Sequence, residues 1–67
     1  MPDAILKLRK VVETTQLSRS TIYEKLNIRS PRYDATFPRP VRLGQRAVGW
    51  RESEIAAWID SRKSSAA

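Results

Sequence analysis

Residues 11–26 read V-V-E-T-T-Q-L-S-R-S-T-I-Y-E-K-L, and no other stretch constrains the fold as strongly. On its N-terminal side Leu8, Val11, Val12 and Thr15 follow i, i+3, i+4, i+7 spacing, which places them on one helix face. On its C-terminal side Ile22 and Leu26 are four apart, with Leu17 leading in from the break. Ser18 stands where a helix N-cap belongs, because its hydroxyl can accept from a backbone N–H that the first turn leaves unpaired. Helices are therefore expected over about 8–14 and about 19–27, with Gln16 in a tight turn between them. A short helix, a turn and a capped second helix bearing Arg, Ser, Thr and Tyr make up a helix-turn-helix, whose second helix enters the DNA major groove.

The chain has 67 residues, which suits one domain over 1–67. A domain of this size buries only about 60% of the surface its unfolded chain exposes, so large aromatics must carry much of the core. Trp50 and Trp58 are placed there by the apolar patterns they sit in. Base stacking is the alternative use of such rings, but both indoles fall on faces that need burial. There is no Cys and no His, which excludes disulfides, the usual zinc ligands and Ser-His or Cys-His catalytic pairs. Nothing in the sequence points to an enzyme, a cofactor, a metal or a small-molecule ligand. No apolar run approaches the roughly 18 residues of a membrane span and no secretory leader is read, so the expected location is the cytoplasm.

Net charge is +6, and its distribution is more informative than its size. Between Arg19 and Arg51 stand Arg19, Lys25, Arg29, Arg32, Arg39, Arg42, Arg46 and Arg51, opposed only by Glu24 and Asp34. The remainder of the chain is neutral. Arginine's planar fork suits phosphates and guanine edges, and all but one of these bases are Arg. Basic charge concentrated on a helix-turn-helix points to double-stranded DNA. A solvated basic surface, or an adaptor or antitoxin-like module that meets an acidic protein, is the alternative.

Residues 29–40, R-S-P-R-Y-D-A-T-F-P-R-P, form a connector without periodicity, in which Pro31, Pro38 and Pro40 favour extended backbone. Tyr33 or Phe37 is expected to pin it to the body. In the following V-R-L-G-Q-R-A-V-G-W-R, Val41 and Leu43 alternate with Arg42, and Val48 and Trp50 alternate with Gly49 and Arg51. This suggests a two-stranded wing over about 41–51, one face apolar and the other bearing Arg. Gly44-Gln45-Arg46 would turn it, with Gly44 free to take positive φ. A last helix over about 52–62 carries Ile55, Trp58, Ile59 and Arg62 on one stripe, with Glu52 and Glu54 at its start and Arg62 and Lys63 at its end to match the helix dipole. Ile5-Leu6-Lys7 is either a short edge strand or the lead into the first helix, and residues 1–4 and 64–67 are expected to be flexible. The fold class is thus mainly α with a small β-hairpin wing, a winged helix-turn-helix.

Three segments, L-S-R-S-T-I-Y (17–23), F-P-R-P-V-R-L-G-Q-R-A-V-G-W (37–50) and E-S-E-I-A-A-W-I (52–59), together resemble the AlpA-like prophage regulators. These are small winged helix-turn-helix proteins related to phage excisionases and to the MerR-type DNA-binding domain. The resemblance covers nearly the whole chain. It implies a helix-turn-helix, a wing and a C-terminal helix packed on both, and it implies DNA binding that regulates prophage or integrated-element genes, with excision as one outcome. Gln16 stands where the family usually has Gly, and the connector between Tyr23 and Phe37 is longer than usual, so residues 28–36 inherit nothing from the family pattern.

The residues expected to meet DNA are Arg19, Ser20, Thr21, Tyr23, Glu24 and Lys25 on the second helix, and Arg39, Arg42 and Arg46 beyond it. Arg19 is the candidate for a guanine or phosphate contact from the first turn, with Ser20 and Thr21 beside it. Tyr23 either donates to a phosphate or fills a half-buried site. Glu24 either accepts from a cytosine amino group or is a surface acid, and Lys25 is a backbone contact. Arg46 at the wing tip suits phosphates or an adjacent minor groove. Arg42 is expected on the outward face of the wing, and Arg39 as a backbone clamp. Tight binding by so small a domain implies self-association on DNA or tandem sites.

Overall fold

The computed structural model describes residues 3–64. In chain order these form β1 (Ile5–Leu6), α1 (Leu8–Thr15), α2 (Arg19–Leu26), β2 (Val41–Arg42), β3 (Val48–Arg51) and α3 (Glu52–Ser64). The architecture is a winged helix-turn-helix, mainly α with a small antiparallel sheet in the order β1-β3-β2.

The helical periods behave as read. Val11 and Ile22 are fully buried, while Leu8, Val12, Leu17 and Leu26 pack against the same cluster. Ser18 caps α2, its side chain accepting from the Thr21 N–H at 3.1 Å. Gln16 takes a left-handed conformation at φ 62°, and its N–H donates to Val12 O at 2.9 Å. The turn therefore has the backbone that a glycine would adopt freely, built with a residue that adopts it at a cost. The Gln16 side chain offsets part of that cost by donating from Nε2 to Glu13 O at 2.7 Å.

The core is completed from distant parts of the chain. Trp50 and Trp58 are both buried, with Leu6, Phe37 and Ile55 around them. Trp50 donates from Nε1 to Pro38 O at 3.1 Å, which satisfies its one polar atom and ties the connector to the sheet. Phe37 meets Trp58 edge-on, the centroids 5.0 Å apart and the planes at 80°, a geometry that sets a ring's positive edge against its neighbour's negative face. Of the two expected pins, Phe37 is the buried one and Tyr33 is half-buried.

Of the two readings of Ile5-Leu6-Lys7 the edge strand holds, over Ile5–Leu6, so the expected two-stranded wing becomes a three-stranded sheet. Other expectations require correction. Residues 3 and 4 are not loose. Asp3 accepts from the Ser53 N–H at 3.1 Å and from the Ser53 hydroxyl at 2.6 Å, and the Glu52 N–H donates to Ala4 O at 2.9 Å. A carboxylate from the far end of the chain thus caps α3, where negative charge also suits the helix dipole. These bonds hold Asp3 below the usual carboxylate range, the Ser53 hydroxyl contributing most. At the other end α3 continues to Ser64, beyond the expected stop at 62. Residues 1–2 and 65–67, also expected to be flexible, lie outside the described residues.

The wing differs in phase. Val41 pairs with Gly49 and Arg42 with Val48, and directly opposed residues share a sheet face. The two apolar alternations therefore lie on opposite faces. Arg42 shares its face with Val48 and Trp50, beyond the edge of the core, and Val41 shares the other with Gly49 and Ile5. Alternation sets the period within each strand, whereas the connecting loop sets the phase between them. Here Leu43 and Gly44 both donate from N–H to Ala47 O, and Gly44 does not take positive φ. Gly49 has a packing role instead. A Cβ added there would collide with Ile5 Cγ2 and lie 3.2 Å from Leu6 O, so the missing side chain lets Ile5 fold over the sheet.

Candidate nucleic-acid interface

Helix α2 is anchored on one side by Ile22 and presents Arg19, Ser20 and Tyr23 as an exposed stripe, with the exposed C-cap Asn27 following it. The spacing explains it: at 100° per residue these positions cluster opposite and beside the buried Ile22. Arg19 makes no side-chain hydrogen bond or ion pair among the described residues, and neither do Arg42 and Arg46. Arg46 lies in the bend at the exposed tip of the β2–β3 loop. Exposed guanidinium groups without an internal acid are available to an external anion, with no internal pair to break first.

Other expected contacts are engaged within the protein. The Thr21 hydroxyl lies 2.8 Å from Ser18 Oγ, half-buried in the cap of α2. Glu24 accepts from Ser30 Oγ at 3.4 Å and stands 3.7 Å from Arg32 Nε, so the connector brings two partners to this acid, whose side chain stays 43% exposed. Lys25 points away from the exposed stripe. Its Nζ lies 3.8 Å from Asp34 Oδ2 and 5.5 Å from the Trp58 ring centroid. It holds the connector to the body. Arg39 is exposed and donates to the Tyr33 hydroxyl at 3.0 Å.

The connector is more ordered than its lack of periodicity suggests. Three successive turns are closed by N–H donation from Ser30 to Asn27 O, from Tyr33 to Ser30 O and from Phe37 to Asp34 O. Side chains reinforce them: Asn27 Oδ1 accepts from the Arg29 N–H, Ser30 Oγ from Arg32 and Asp34 Oδ1 from Thr36. These are the local bonds that Asn, Asp and Ser offer a chain turning back on itself. Asp34 is held below the usual carboxylate range by the Thr36 hydroxyl, against partial burial, with smaller help from the Thr36 N–H, Lys25 and Trp58. Arg62 Cζ stands 5.1 Å from the Trp58 ring centroid while its Nη2 donates to Thr36 Oγ1. The Asn27 and Ile28 positions at the end of the exposed stripe were absent from the expected site. Continuing the α2 spacing one residue reaches Asn27, but nothing local marked Ile28.

Among the described residues, no helix is long and apolar enough to cross a membrane. The sequence pattern of the Prophage CP4-57 regulatory protein (AlpA) family matches residues 4–63. The chain is similar to the DNA-binding transcriptional activator AlpA of Escherichia coli (strain K12), with 52% identity over 58 residues, covering 87% of this chain and 83% of that protein. It is also similar to the uncharacterized protein ORF88 of Enterobacteria phage P4, 37% identical over 60 residues, covering 90% of this chain and 61% of that one. No solved structure matches significantly.

Proposed function

Since the chain belongs to the AlpA family of prophage regulatory proteins, we propose that it binds double-stranded DNA and regulates transcription of a prophage or integrated element, including genes that govern excision. The observation that carries this reading is the exposed stripe of a capped second helix headed by Arg19, which has no internal acid partner among the described residues. In this reading α2 enters the major groove. Arg19 reaches a guanine edge or phosphate, and Ser20 and Tyr23 contact the groove wall. Arg42 and Arg46 hold phosphates from the wing, and Arg39 with its Tyr33 partner adds one from the connector. Thr21, Glu24 and Lys25 keep the reading helix capped and braced. The small contact area favours two copies on DNA or tandem sites. The protein works where the chromosome is, in the cytoplasm.

Salt dependence tests the reading. If four or five phosphates are neutralised, log K should fall with log salt at a slope of about −4. Arg19→Ala should weaken a selected site more than random DNA, whereas Arg46→Ala should weaken both alike. Equal losses for both variants on both DNAs would overturn the division of roles. Absence of binding at low salt would favour an acidic protein as the partner.

A further inference from the structure

Ile28 is 70% exposed and Tyr23 54%, the two most exposed large hydrophobic side chains among the described residues. Of the others, Ile5 and Leu43 lie over Gly49, and Val48 belongs to β3. Ile28 has no such neighbour, and it stands where the exposed stripe of α2 ends. It is also held firmly. The turn from Asn27 to Ser30 is closed by the Ser30 N–H on Asn27 O at 2.9 Å and by the Arg29 N–H on Asn27 Oδ1 at 3.0 Å, and Ser30 is tied back to Glu24.

We propose that Ile28 reads the 5-methyl group of a thymine at the C-terminal end of the recognition helix. The inference rests on the DNA-binding reading above. In the major groove thymine presents a methyl group where cytosine presents none, and apolar side chains are what distinguish it. Charge decides against an apolar protein surface for this patch. Arg29, next in the same turn, is exposed and has no ion pair among the described residues. An apolar protein surface covering Ile28 would strand that charge, whereas DNA offers a phosphate beside each base. The rigid turn orders Ile28 before binding, so little entropy is lost on contact. Helix α2 has eight residues, about 12 Å at 1.5 Å per residue. At 3.4 Å per base pair that spans roughly three to four steps, so the thymine lies about that far from the base that Arg19 meets.

The test begins with duplexes selected from a random pool by the purified protein. Each thymine of a selected duplex is then replaced singly by deoxyuridine, which removes only the methyl. At one position the wild-type protein should lose roughly fourfold in affinity, the worth of one buried methyl. Ile28→Ala should bind the thymine duplex weaker by a similar factor and be indifferent to deoxyuridine at that position, the coupling a double-mutant cycle reads. Its circular dichroism should match wild type, because the side chain is exposed. Retained binding with no methyl-sensitive position, or full methyl sensitivity in Ile28→Ala, would overturn the proposal alone. Failure to bind any duplex at low salt would overturn the DNA-binding reading with it. A dimer in the absence of DNA that Ile28→Ala dissociates would assign the patch to self-association and overturn the thymine reading.

Discussion

Replacing Gln16 by Gly should stabilise this domain. Gln16 holds φ 62° and ψ 21°, a conformation that sets the angle between α1 and α2. For an L-residue with a Cβ this region costs roughly 1–2 kcal/mol, a cost Gly does not incur. Against the gain stands the hydrogen bond from Gln16 Nε2 to Glu13 O, which is exposed to solvent and so contributes only about 0.5 kcal/mol. The Gln16 N–H bond to Val12 O remains in either variant. The net gain is therefore about 0.5–1.5 kcal/mol, which for a domain of this size raises Tm by roughly 2–12 °C. Thermal and urea unfolding followed by circular dichroism would measure it, with the urea m-value unchanged if the two-state transition is preserved. Gln16→Ala is the control. It keeps the strained backbone and loses the side-chain bond, so it should melt below wild type. Affinity for DNA should not change, since the turn keeps its geometry. A Gly variant that melts at or below wild type would refute the reasoning, because it would mean that the Gln16 side chain contributes more than the strain removes.

Three further outcomes follow from the packing. Trp58→Ala should cost roughly 3–5 kcal/mol, enough to unfold so small a domain, because it removes the ring that Phe37, Lys25 and Arg62 meet; a cooperative melt near wild type would show the core misassigned. Lys25→Ala should lower stability by about 1 kcal/mol through loss of the partly buried Asp34 pair and the contact with Trp58, while the salt slope of DNA binding stays as in wild type; a slope reduced by one phosphate would restore Lys25 to the interface. Asp3 and Asp34 both have carboxyl groups lowered below the ordinary value of 3.8, so their contribution is fully present above it and is lost as pH falls through it toward their folded values. The acid limb of stability should therefore be shallower in Asp34→Asn, and an acid limb parallel to wild type would remove Asp34 from the account.

The local elements were legible because their causes are local. The 3.6-residue spacing of Leu8, Val11, Val12 and Thr15 appears as one packed face of α1, and Ser18 caps α2 through the atom that its position implies. Burial of both indoles was legible as well, since each sits in an apolar pattern of the right period. The departure at Gln16 identified the one turn under strain but not its resolution. A Gln at a glycine position allows either a different turn or the same turn at a cost, and only the backbone shows that the second holds.

What could not be read depends on distance along the chain. The wing alternation was correct in each strand, yet the phase between strands follows from how Leu43 and Gly44 share the Ala47 carbonyl, which no period records. The same limit governs the site. The helical period gives each side chain an angle on α2, with Glu24 on the side opposite Leu26 and Lys25 next to the buried Ile22. It says nothing of the connector that returns against that flank, bringing Ser30 and Arg32 to Glu24, and Asp34 to Lys25. Those partners are six to nine residues away through turns, where no helical or strand period operates. The segment that inherits least from the family resemblance is thus the one that decides which charges of α2 remain open. Arg19 has no side-chain partner among the described residues, whereas the connector supplies partners to Glu24 and Lys25. A chain with the same α2 and a shorter connector would present Glu24 to the groove, and its preference among bases should differ for that reason, although every residue on its helix were the same.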